Sequence, residues 1–141
     1  MWKSAAIFLL AALLTACGEP KRSLLQDLSG HDQLTQFTLQ SIRGTRDGDR
    51  LRAQLMISDS SSILTIEMNF AIGSPTRLEG GTWSWGRQGQ LSKGTVTARS
   101  VTFLGGQDGP PSIGGTFDLM DANGAAHYRV NLPVTELKAR L

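Results

Sequence analysis

From Leu34 onward, apolar side chains recur at every second position. Phe37 and Leu39 alternate with Thr38 and Gln40, and Ser41 continues that phase. Leu51, Ala53, Leu55 and Ile57 alternate with Arg52, Gln54 and Met56. Leu64, Ile66, Met68, Phe70 and Ile72 alternate with Thr65, Glu67, Asn69 and Ala71. A period of two places one set of side chains on one face, so these segments read as strands with one buried side. Arg46-Asp47-Gly48-Asp49 and Asp59-Ser60-Ser61-Ser62 carry turn chemistry between them. Thr82 to Trp85, Thr95 to Leu104, Thr116 to Met120 and His127 to Leu132 continue the theme. Gly86-Arg87-Gln88-Gly89 and Asp121-Ala122-Asn123-Gly124 supply their turns. The apolar phase changes near Arg99-Ser100, which predicts a bulge. Pro133 lacks an N–H donor and is expected to end the last strand, leaving Val134 to Leu141 as a helical turn or tail.

One stretch departs from the alternation. Ser23 and Gln26 have capping-box spacing, Gly30 can terminate a turn, and Leu24, Leu25 and Leu28 share a helical face. Ser23 to Gly30 therefore reads as a short helix. The expected fold is all-β: an antiparallel β-sandwich, or a small barrel, of about seven or eight strands. A signal helix and a short tether precede it. The boundaries are a signal at 1–16, a tether at 17–33 and one domain at 34–141.

The remaining apolar run lies at the start. Lys3 precedes Ala5 to Leu14, ten apolar residues in a row. At 1.5 Å per residue this run spans about half a hydrocarbon core, too little for a transmembrane helix. It fits the h-region of a secretory signal. Leu14-Thr15-Ala16-Cys17 follows and resembles the lipobox of bacterial lipoproteins. The resemblance covers about the first 20 residues and does not extend to the β domain. It implies a diacylglycerol on the Cys17 thiol, cleavage before Cys17 and acylation of the new amine. Several acyl chains anchor a protein stably where one does not. The covalent lipid is the only prosthetic group expected. In enterobacterial lipoproteins an Asp after the cysteine tends to retain the protein at the inner membrane; here Gly18 stands there. The resemblance thus implies the outer membrane, with the periplasmic face expected over the cell surface. Cys17 is the only cysteine, so no internal disulfide can form and an exported domain must rely on its core.

Composition narrows the function classes. Hydrophobic residues make up 40% of the chain, enough to bury a core. The net charge of +2 comes without a dense Lys/Arg stripe, which excludes nucleic acid as the expected partner. Sixteen glycines point to many turns. The most unusual segment is Gly105-Gly106-Gln107-Asp108-Gly109-Pro110-Pro111-Ser112, where two prolines stiffen a glycine-rich loop. A stiff loop loses little entropy on binding, so Gly105, Gly106, Gln107, Asp108, Pro110 and Pro111 are candidate partner contacts. Trp83 and Trp85 share a strand face. Facing out they would form a platform for a sugar ring; facing in they are core, the expected case in a chain with few aromatics.

The histidines, His31 and His127, have no cysteine beside them and no nucleophile-elbow motif accompanies them. Asp121-Ala122-Asn123-Gly124 begins like a calcium loop, but Arg129 and Val130 occupy the stretch where a closing Glu belongs. Neither a metal nor catalysis is expected. Arg43, Arg46, Arg50 and Arg52 cluster about the first hairpin as a solvated face or a contact for lipid phosphates. The expected function is a lipid-anchored, non-catalytic binding or assembly module for another envelope protein. The alternatives are a small-ligand or glycan binder using the tryptophans, and an envelope hydrolase.

Overall fold

The computed structural model describes residues 23–105 and 110–138. The described chain is all-β, with eight strands in one antiparallel sheet. They are β1 (Leu25–Asp27), β2 (Thr38–Asp47), β3 (Arg50–Ser58), β4 (Ile63–Ala71), β5 (Arg77–Arg87), β6 (Gln90–Leu104), β7 (Ser112–Met120) and β8 (Ala126–Glu136). The order is β1-β8-β7-β6-β5-β4-β3-β2, a simple meander with β1 added beyond β8. The fold is all-β as expected, and of the sandwich and the small barrel it stands nearer the barrel: the single sheet curls into a half-barrel. Phe70 of β4 meets Phe117 of β7 at 6.1 Å between ring centroids, across three strand spacings. Such a contact requires the sheet to fold back on itself.

The alternation read from the sequence sets the inside. Leu51, Leu55, Ile57, Leu64, Ile66, Met68, Phe70, Phe117 and Leu119 are all buried. Bulges adjust the phase where the pattern breaks. One falls at Gln40, so Ile42 and not Ser41 continues the inward row of β2. Another falls at Arg99, as the sequence phase predicts. Further register shifts at Glu79, at Gly114 and at His127 bend β5, β7 and β8. Each extra residue raises local twist, and together they favour a curl over two flat layers.

Two expectations fail locally. Ser23 to Gly30 is no helix: Leu25–Asp27 pairs with Tyr128–Val130 of β8, and the Leu25 side chain is fully buried. Long-range pairing and burial override the short helical signal, which carried little propensity of its own. Gly30 does turn the chain, with φ of 76°. Pro133 does not end β8 either. Gly115 pairs with Leu132 and Ile113 with Thr135, so Pro133 and Val134 bulge out of the ladder and no ladder hydrogen bond needs the missing N–H.

The two rims differ. The upper rim carries the connections 28–37, 59–62, 88–89 and 121–125. Leu34 and Phe37 cap the core there, and Phe37 stands edge-on to Trp85 at 5.2 Å. The lower rim carries 48–49, 72–76 and 105–111. There the chain leaves β8 and crosses to β2: Lys138 N–H donates to Ile42 O at 3.3 Å, and Leu137 packs over Gly44.

Carboxylates tie down the turns of the upper rim. Asp59 accepts the N–H groups of Ser61 and Ser62 at 2.7 Å each. Those bonds hold its carboxyl below the ordinary value of 3.8. Burial pushes Asp27 up, but bonds from Ser29 and Asp32 outweigh it and lower its pKa. Asp121 is lowered first by its bond from His127 and then by the Ala125 N–H. A carboxyl whose folded pKa is depressed binds its proton more weakly than in the unfolded chain. Its contribution is present above the unfolded value and is lost as pH falls through the folded one. The urea midpoint should therefore hold steady from pH 7 to about 5 and drop below about pH 4. Asp59→Asn should start lower at neutral pH and fall less steeply on acidification, as read by tryptophan fluorescence in urea.

Candidate functional site

Trp83 and Trp85 point inward and are 4% and 2% exposed. This corrects their candidacy as ligand-binding residues, because neither offers a ring face to solvent. The indole N–H of Trp85 donates to Ser62 Oγ at 3.1 Å, and Ser62 in turn bonds to Asp59. The Trp83 indole donates to the Met120 carbonyl at 2.9 Å. Tyr128 stands edge-on to both rings, and Arg87 lies over Trp85 at 4.7 Å. Burial raises the Tyr128 pKa above its ordinary value. Buried indole donors need partners, and here each has one.

The proline loop lies at the opposite rim. Gly105 takes φ of 150°, and a Cβ there would stand 3.0 Å from Pro111 Cα. Pro111 O accepts the Leu137 N–H at 2.9 Å. The two ends of the loop are thus pinned together. Pro110 is exposed and Pro111 half-buried. Gly106, Gln107 and Asp108 lie outside the described residues, as does Cys17. The described ends of the loop, Gly105, Pro110 and Pro111, lie at the rim away from the tryptophans.

A cleft appears elsewhere, on the outer wall near the upper rim. Outward side chains of β4, β5 and β6 form its floor: Thr65, Glu67, Thr82, Ser84, Lys93 and Thr95. Trp83, Gly94 and Ala122 complete its lining. The 121–125 hairpin overhangs it as a lip. Two contiguous hollows of about 490 and 380 Å³ share Trp83, Lys93 and Ala122. The second continues to Leu91, Asn123, His127 and Tyr128.

The lip is held firmly. His127 is the extra residue of the β8 bulge, and its Nε2 meets Asp121 Oδ2 at 2.6 Å. Asp121 Oδ1 accepts the N–H groups of Asn123 and Ala125 at 2.8 and 3.0 Å. The stretch is a hairpin turn, as read from the sequence. Among the described residues no group of three metal-ligating side chains forms. No hydrogen bond among them joins either histidine to a serine hydroxyl.

Beside the cleft lies an apolar row. Ile63 pairs with Gly86, and Gly86 pairs with Leu91. Ile63 is 45% and Leu91 68% exposed. Between them Gly86 adds no side chain, and a Cβ there would touch nothing within 4 Å. The result is a notch with an aliphatic wall on each side. No sequence signal pointed to these residues. Each is an ordinary exposed strand position, and only the strand register makes them neighbours.

Arg99 and Arg129 grip Asp118 farther along the outer wall. Arg129 Nε donates to Asp118 Oδ1 at 2.8 Å and Arg99 Nε to Oδ2 at 3.2 Å. The bond to Asp118 raises the Arg129 pKa. This group braces β6, β7 and β8 and leaves little carboxylate surface free.

Compared with known protein families, curated proteins and solved structures, the chain matches none.

Proposed function

We propose that this protein is a lipid-anchored, non-catalytic binding module that docks another envelope protein on its upper outer wall. The observation that carries the reading is the exposed Ile63–Gly86–Leu91 notch beside the cleft. Large aliphatic side chains held rigid on a sheet cost little entropy to bury. An apolar centre bordered on one side by Thr65, Ser84 and Lys93 has the make-up of an interface core beside a polar rim. The lipobox-like Leu14-Thr15-Ala16-Cys17 supports an anchor, which would confine the module to a membrane and raise its effective concentration there. The same sequence supports an outer-membrane, periplasm-facing address.

The test is crosslinking in intact envelopes followed by capture. Wild type is compared with Ile63→Asp/Leu91→Asp and with Cys17→Ser. One reproducible envelope protein should be captured by wild type, lost with the double substitution and weakened by loss of the cysteine. Both substituted positions are exposed, so the fold should survive; an unchanged urea midpoint checks this. Capture that ignores the double substitution would remove the notch from the interface. Absence of any reproducible capture would refute the module reading.

A further inference from the structure

We propose that the lower rim of the half-barrel rests on the bilayer, with Leu104 and Val134 in the headgroup region. The inference builds on the lipid anchor at Cys17 and adds the orientation of the domain. Its first support is where the tether joins the fold. The Asn131 N–H donates to Leu24 O at 2.8 Å, and Asn131 Nδ2 donates to Ser23 O at 3.0 Å. The tether therefore meets the domain against the flank of β8. β1 runs antiparallel to β8, and β8 runs from the upper rim to the lower. At Ser23 the chain upstream consequently arrives from the side of the lower rim.

The second support is length. Cys17 precedes Ser23 by six residues, which span at most about 20 Å when fully extended. That is too short to let the domain float free of a surface holding the lipid. The domain is confined beside the headgroups, and the arrival direction turns the lower rim toward them.

The third support is the surface found there. Leu104 and Val134 are 57% and 46% exposed, at the lower ends of β6 and β8. Exposed Pro133 precedes Val134, and exposed Pro110 belongs to the connection that follows Leu104. The cleft and the Ile63–Leu91 notch lie toward the other rim. Charge follows the same axis. Among the described residues Asp27, Asp32, Asp59 and Asp121 at the upper rim outnumber Arg87 and Lys93, and His127 pairs with Asp121. Among the described residues of the lower rim Arg46, Arg50, Arg52, Arg77 and Lys138 outnumber Asp47, Asp49, Glu79 and Glu136 by one. An anionic surface repels the first rim and weakly attracts the second. Aliphatic side chains at such a boundary sink a few ångströms into it, about 5 to 10 Å for a strong binder.

The experiment uses the full chain, extracted from membranes and reconstituted into vesicles of phosphatidylethanolamine and phosphatidylglycerol. Acylation occupies the Cys17 thiol, so a single added cysteine takes a fluorescent label. Labels go on Leu104→Cys, Val134→Cys and, at the upper rim, Asn123→Cys. A quencher carried near the headgroups should quench positions 104 and 134 about twofold or more beyond position 123. Equal quenching at all three, or stronger quenching at 123, overturns the orientation. Mass analysis of the N-terminal peptide separates the two levels. A lipid-free Cys17 would overturn both the anchor and the orientation built on it; a lipidated Cys17 with a flat quenching pattern would overturn the orientation alone. Tryptophan emission of each variant, matched to wild type, confirms that the fold is kept.

Discussion

Replacing Gly94 by alanine is expected to lower the unfolding free energy by about 3 kcal/mol, at the upper end of overpacking costs. Intrinsic preference argues the other way: glycine inside a strand is worth about 0.5–1 kcal/mol less than alanine. Sterics decide the sign. A Cβ at Gly94 would overlap the Met120 carbonyl oxygen and stand 2.8 Å from Trp83 Nε1. Both belong to the same hydrogen bond, from the Trp83 indole to Met120 O. Backbone cannot step aside as the end of a flexible side chain does. The added methyl must force β6 from β7 or break the indole bond, and a buried unpaired N–H is costly in itself. Gly86→Ala is the control, because a Cβ there meets nothing within 4 Å. Its urea midpoint should equal or slightly exceed that of wild type, while that of Gly94→Ala falls well below.

Trp85→Ala should cost about 3–5 kcal/mol, the range for emptying a buried aromatic site. Trp85 is among the largest fully buried side chains, held edge-on by Phe37 and Tyr128 at 5.2 and 5.1 Å. Its removal uncouples the upper-rim cap from the barrel wall, since Phe37 packs on it from the 28–37 connection. Trp85→Phe should cost less, about 1–2 kcal/mol. That variant keeps most of the volume but loses the indole donor to Ser62, whose hydroxyl still bonds to Asp59. The order wild type, then Phe, then Ala in urea midpoint tests the account. Near-ultraviolet circular dichroism should show the aromatic signal weakening in the same order. Equal loss for both variants would assign the effect to the hydrogen bond and not to packing.

The strands were legible because each buries one face, and burial at period two leaves its mark in the chain. Leu51, Ala53, Leu55 and Ile57 show this most plainly, and all four are buried. The bulge at Arg99 was legible for the same reason, as a break in phase. β1 was not. Three residues carry no period, and the partner that makes them a strand lies more than a hundred positions away at Tyr128–Val130. The choice between sandwich and curl was equally hidden. It depends on bulges at Gln40 and Glu79, where polar residues give no phase signal, and at Pro133-Val134, where the proline reads as a strand end. Trp83 and Trp85 were legible as sharing a face, and the core expectation for them holds. The Ile63–Leu91 notch was invisible, since nothing local marks residues that meet only through two strand registers. The proline loop attracted attention by composition, yet what the structure shows of it is a pinned connection at the lower rim.

The way Ser23 to Asp27 joins the domain also sets how it bears load. Tension from an anchored end would enter along β1, parallel to the strand and across its hydrogen bonds to β8. Loaded in that direction the rungs share the force in shear, rather than opening one at a time as in peeling. Leu25, buried in the core, adds a peg that must be drawn out at the same moment. Among the described residues no other strand pairs with β1, so even if it let go the meander from β2 to β8 would remain whole. The joint is a mechanical clip: firm against a steady tug, and separable without wrecking what it holds.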